Sequence, residues 1–263
     1  MKRFLIIIAA ALTLSSCGLL ASINWNQDAL AAAAGHAMTA ANLSDEQIAM
    51  LCQESIAQLD AQNKIDNGAY HQRLAKLLKG ITAIGDQPLN FKVYITNEVN
   101  AFASGDGSIR VYSGLMDLMD DSELMAVIGH EIGHVLEKHT KKAMQRAYMT
   151  TAAREAVYAA GGVVGGLAAS VLGELADAYV NAQYSQKNEY VADEYGFLVA
   201  VQRGYSPYSM YNSLMKLDRL SEGGEASVLE HMFSSHPDNA SRAEKMYQAA
   251  QLYEQQAEQQ TNQ

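Results

Sequence analysis

Prolines and cysteines are scarce in this chain: three and two, respectively, in 263 residues. With prolines only at Pro88, Pro207 and Pro237, long stretches are free to be helical. With hydrophobic residues at 49%, the composition suits a compact, helix-rich globule better than a disordered or sheet-only protein. Cations are also short, 19 Lys and Arg against 29 acids, giving a formal charge of −10. Phosphate binding needs clustered cations, so nucleic acid is excluded as a partner. No repeat period indicates an array, and the length favours one domain, with or without an extension.

What is present begins with a targeting leader. Lys2 and Arg3 precede the apolar stretch Phe4 to Leu14, which is too short for a typical membrane span. Leu14-Ser15-Ser16-Cys17 resembles the lipobox of bacterial lipoproteins, where cleavage precedes a cysteine that is then acylated. The resemblance implies a signal peptide over 1–16 and attachment to a membrane through lipid on Cys17. Because Gly18 follows rather than Asp, it also implies an outer-membrane lipoprotein facing the periplasm. Two or more acyl chains make such anchoring stable. Cys52 is then left without an intrachain partner and reads as a small buried hydrophobe on an amphipathic helix.

Residues 17–43 are Ala-rich and weakly patterned, as a tether or loosely packed helix would be; 44–250 read as the domain and 251–263 as a polar Gln-rich tail. Ser44 and Gln47 form a capping-box pattern before a helix with Ile48, Leu51, Cys52 and Leu59 at helical spacing, and a second helix runs from about Tyr70 to Leu78. Phe91, Val93 and Ile95 alternate with Lys92, Tyr94 and Thr96 as a strand does. Two more short strands, Asn100 to Ala103 and Ser108 to Tyr112, flank the turn Gly105-Asp106-Gly107. The expected fold class is therefore α+β, helix-dominated with a small antiparallel β-sheet. Leu124, Val127, Ile128, Ile132, Val135 and Leu136 then mark a strong helix capped by Ser122 or Asp121, and further helices are expected from about Tyr179 to Ala200 and after Ser206-Pro207.

The strong helix carries His130-Glu131-Ile132-Gly133-His134, an HExxH pattern. Side chains at i and i+4 lie only about 40° apart around a helix axis, so both imidazoles can reach one metal ion. Zinc suits such a site, since it accepts neutral imidazole and carboxylate and leaves a position open. The metzincin spacing for a third ligand fails, because Glu137 and Thr140 stand where Gly and His are needed. His139 cannot substitute, since five residues beyond His134 it points about 140° away on the same helix, and a distant carboxylate is the remaining option. The candidate is Glu189 in Asn188-Glu189-Tyr190-Val191-Ala192-Asp193, with Asp193 one turn on to hold a ligand imidazole. Glu131 is the expected general base.

HExxH followed by ExxAD resembles the metallopeptidase family of the CAAX prenyl endopeptidase and HtpX, and with the lipobox is most similar to its LoiP-type lipoprotein members. The similarity runs from Val99-Asn100-Ala101-Phe102-Ala103 through Gly114-Leu115 to Ser235-His236-Pro237 and Arg242; Gln186 departs from it, standing where many members carry Arg. The resemblance implies a gluzincin-type zinc endopeptidase with one zinc per chain, acting on polypeptide substrates among misfolded or damaged envelope proteins. Asn100, Ala101, Phe102 and Ala103 would pair with the substrate backbone. His236 would lie over the metal, as an oxyanion donor or as a latch on the open position, and Arg242 would face the developing negative charge. The rival reading is a zinc-stabilised lipoprotein chaperone or scaffold, against which Glu131 argues, since a structural site needs no base. The apolar run Ala156 to Gly173 cannot be a single span if both halves of the site meet at one ion. It is expected as a buried helix pair, a lid or a shallow membrane-facing element.

Overall fold

A computed structural model describes residues 26–159, 184–222, 229, 232, 236 and 239–261. These fall into two compact units, the first drawing on residues up to Asn42 and from Ala147, the second beginning at Leu43. In the first, α1 (Gln27–Asn42) is started by Asn26, whose Oδ1 accepts from the amides of Asp28 and Ala29, and whose own amide donates to the Ala159 carbonyl at 2.8 Å. Leader, lipobox and Cys17 lie outside the described residues, as do 160–183 with most of the apolar run. No described helix is long and apolar enough to cross a membrane.

The second unit opens on α2 (Asp45–Gln62), capped by the reciprocal Ser44–Gln47 pair as its sequence predicts, and α3 (Ala69–Leu77). A hairpin of β1 (Ala83–Ile84) and β2 (Gln87–Pro88) follows, then β3 (Asn90–Tyr94), β4 (Ala101–Ala103) and β5 (Ser108–Tyr112). The expected antiparallel pairing holds for β1–β2 and β4–β5, while β3 runs parallel to β5; the three-stranded order is β3-β5-β4, with β4 at an edge. Alternation along β3 also differs from expectation, because Tyr94 is fully buried. Its hydroxyl donates to Asp60 Oδ1 at 2.7 Å, beside bonds to Asp60 from Lys92 and the buried Arg110. Burial opposes ionisation of Asp60, but these hydrogen bonds outweigh it and hold the carboxyl well below the usual range. One carboxylate thereby ties α2 to two strands.

After α4 (Ser113–Leu118) comes α5 (Asp121–Leu136), whose cap is Asp120 and not Ser122 or Asp121: its side chain accepts from Ser122 and Glu123 amides while Glu123 bonds back. Helices α6 (His139–Ala159), α7 (Gln186–Gln202), α8 (Ser209–Glu222) and α9 (Asn239–Thr261) complete the order. The Gln-rich end, expected as a polar tail, is helical to Thr261 and exposed over 251–260, as its Gln, Glu and Ala content favours. The core gathers α5 residues such as Leu124 and Ile128 with Val93, Ile109, Val111 and Leu115. Helices α5 and α7 approach closely through glycine. A Cβ on Gly129 would lie 2.8 Å from Val199 Cβ, one on Gly133 2.9 Å from Tyr195 Cβ, and one on Gly196 2.6 Å from the Ala126 carbonyl. This contact brings the two motif helices together.

Candidate active site

His130 and His134 leave the buried face of α5 one turn apart, and Glu189 leaves the first turn of α7 opposite them; all three are buried. The Nε2 atoms of the two histidines are 2.9 Å apart, with Glu189 Oε2 3.7 Å from His130 Nε2 and Glu189 Oε1 3.5 Å from His134 Nε2. His236 completes the group, its Nδ1 3.0 Å from Glu189 Oε2 and 3.3 Å from His130 Nε2. Donor atoms of all four lie within 4.8 Å of one another. Tetrahedral zinc with bonds of about 2.0–2.1 Å spaces its ligand atoms about 3.3 Å apart, so the donor set fits such an ion. Buried Glu189 Oε1, which has no hydrogen-bond partner, fits it too.

Around these donors the charges are ordered. Asp193 Oδ1 accepts from His130 Nδ1 at 2.9 Å, fixing Nε2 as the nitrogen free to ligate. Arg242, buried, grips both Asp193 oxygens at 2.7 and 2.6 Å and reaches Glu189 Oε2 at 2.8 Å. Burial disfavours both carboxylates, yet the site's cations prevail and lower them: Arg242 foremost for Asp193, His236 and then Arg242 for Glu189. Burial, helped by His130, drives His134 well below its ordinary value and keeps it in the neutral, ligating form. Glu131, on the same helix turn, is pushed up by burial, and its Oε2 has no partner. Its other oxygen is 3.7 Å from His236 Nε2.

Of the expected site residues, His130, Glu131, His134, Glu189, Asp193, His236 and Arg242 meet here. The Arg242 guanidinium grips Asp193 and Glu189 and so orients the carboxylates. Asn100, Ala101 and Ala103 are buried and Phe102 half-buried; β4 packs on α5 and pairs only with β5 among the described strands. The Phe102 ring meets Tyr112 edge-on at 6.3 Å. Two residues were not foreseen. Tyr184 stacks on the His134 ring, centroids 4.0 Å apart and planes at 22°. His139 returns to His134 because the helix does not continue: α5 ends at Leu136, and Lys138 takes a left-handed φ of 54°. Only the spacing, a histidine five residues past HExxH, hinted at it.

A model of peptidase family M48 matches residues 64–250. The chain is similar to metalloprotease LoiP of Escherichia coli, 41% identical over 92% of this chain and 94% of that one, and to metalloprotease YcaL of the same organism, 38% identical over the same shares. It is also similar to the beta-barrel assembly-enhancing protease of Yersinia pestis, 31% identical over 57% of this chain and 32% of the relative.

Proposed function

The chain belongs to peptidase family M48 and is a metalloprotease, and from that premise we propose that it is a zinc endopeptidase of the bacterial envelope, hydrolysing internal peptide bonds of misfolded or damaged proteins. The observation that carries the catalytic part is the convergence of His130, His134 and Glu189 with Glu131 beside them. Zinc held by those three donors would supply Lewis acidity, acidifying water and polarising a carbonyl.

The chain's own residues supply the rest. Glu131, whose carboxyl burial pushes above its ordinary value, takes a proton from the attacking water at its Oε2. It returns that proton to the leaving amine as the C–N bond breaks. Asp193 and Arg242 hold His130 and Glu189 in register. The edge of β4 that pairs with no described strand offers backbone groups to an extended substrate, the strand-addition mode of peptide recognition, and an internal segment fits such an edge because no terminus is required. Support for the envelope comes from the lipobox resemblance at Cys17.

Casein digestion by the purified protein, compared with Glu131→Gln at equal zinc content, tests the reading. A loss of turnover of about 10²-fold or more is expected. Equal activity of the two proteins would remove Glu131 as the base, and absence of proteolysis in both would favour the scaffold alternative.

A further inference from the structure

His134 Nδ1 and His139 Nδ1 are 2.8 Å apart, and both residues are 1% exposed. His134 turns Nε2 toward His130 and Glu189, so Nδ1 is its rear nitrogen. A hydrogen bond between two ring nitrogens needs one proton. If His134 ligates through Nε2, the proton must sit on His134 Nδ1, and His139 Nδ1 must accept it. The arrangement parallels His130, whose rear Nδ1 is held by Asp193 Oδ1 at 2.9 Å. Each ligand imidazole therefore has its own acceptor, a carboxylate for one and a second imidazole for the other.

The local chain is built to deliver that acceptor. A left-handed backbone is sterically strained for a non-glycine residue, and Lys138 adopts it at φ 54° immediately before His139. The reversal starts α6 at His139 and folds its ring back on His134, ring centroids 4.9 Å apart. Asp45 clamps the turn through Lys138 and through Lys141 at 2.7 Å. Tyr184 covers the His134 ring face, so between them Tyr184 and His139 restrict tilt and rotation of the imidazole.

We propose that His139 is a positioning residue for the metal site: its Nδ1 accepts from His134 Nδ1–H, which selects the His134 tautomer and aims Nε2 at the ion. The inference rests on the reading of His130, His134 and Glu189 as zinc ligands.

Two substitutions separate acceptor from packing. His139→Phe keeps the ring and removes the acceptor; His139→Asn removes the ring and keeps an oxygen near the place of Nδ1. Zinc dissociation constants of the full-length proteins, measured against a competing chelator, should rise 10- to 100-fold for His139→Phe and stay within about threefold of wild type for His139→Asn. The visible spectrum of the cobalt(II)-loaded protein should change in His139→Phe and be retained in His139→Asn. The opposite ranking, or wild-type affinity and spectrum in His139→Phe, would overturn the assignment. If only one variant folds, it still decides: His139→Asn weakened tenfold or His139→Phe left unaltered each refute it. Failure of the wild-type protein to bind zinc or cobalt would instead sink the underlying ligand reading, a separate outcome.

Discussion

His236 Nδ1 lies 3.0 Å from Glu189 and 3.3 Å from His130 Nε2, inside the donor group and not merely above it. With zinc bound, an imidazole so placed would take the position that a catalytic zinc keeps open for water and substrate. This geometry favours the latch over the oxyanion donor, so His236→Ala should raise basal casein hydrolysis at unchanged zinc content. A fall in kcat of about 10²-fold or more would return the residue to the oxyanion role, and unaltered kinetics would deny both. At this scale the site was largely legible, because HExxH and ExxAD are local patterns whose side chains share a helix face. His139 was not legible, because the angular argument extended α5 through Lys138, and the left-handed residue that breaks it has no glycine to announce it. Arg242 was legible by position, but its grip on Asp193 and Glu189 was not, since these sit on α7, far from it in sequence.

Between elements, the two motifs meet only because α5 and α7 lack side chains where they touch. Gly133 lies inside HExxH itself, and a Cβ there would fall 2.9 Å from Tyr195 Cβ and 3.1 Å from Ala192 Cα. Gly133→Ala gains about 1 kcal/mol of helix propensity but overpacks a close contact, which typically costs about 1–3 kcal/mol. Separation of the helices would also carry Glu189 away from His130 and His134. The expected result is weaker zinc affinity with the metal-free melting temperature lowered or little changed; wild-type affinity would show that the helices yield without disturbing the ligands. Strand pairing was less legible than the helices. Alternation identified β3 as a strand, but its parallel alignment with β5 depends on non-local partners, and Tyr94 breaks the alternation because Asp60 satisfies its hydroxyl in the core. The α5 cap moved to Asp120 for a related reason: Glu123 is the reciprocal partner only at that spacing.

For the molecule as a whole, attachment to a membrane is a proposal that rests on the leader and lipobox of its sequence. No described helix is long and apolar enough to span, and a net charge of −10 gives no broad electrostatic attraction to anionic lipid. The lipobox resemblance at Leu14-Ser15-Ser16-Cys17 is what supports acylation as the proposed anchor. Each buried CH₂ of an acyl chain contributes about 0.8 kcal/mol, so two or more chains hold a protein stably where one does not. Cys17→Ser removes the attachment point while altering none of the catalytic residues. The variant should lose the acyl mass by mass spectrometry and move from the membrane to the soluble fraction, with casein hydrolysis per zinc unchanged if enough protein accumulates. Retention on membranes through a high-salt wash would locate the anchor elsewhere, with the apolar run Ala156 to Gly173 or an uncleaved leader as the segments to delete next.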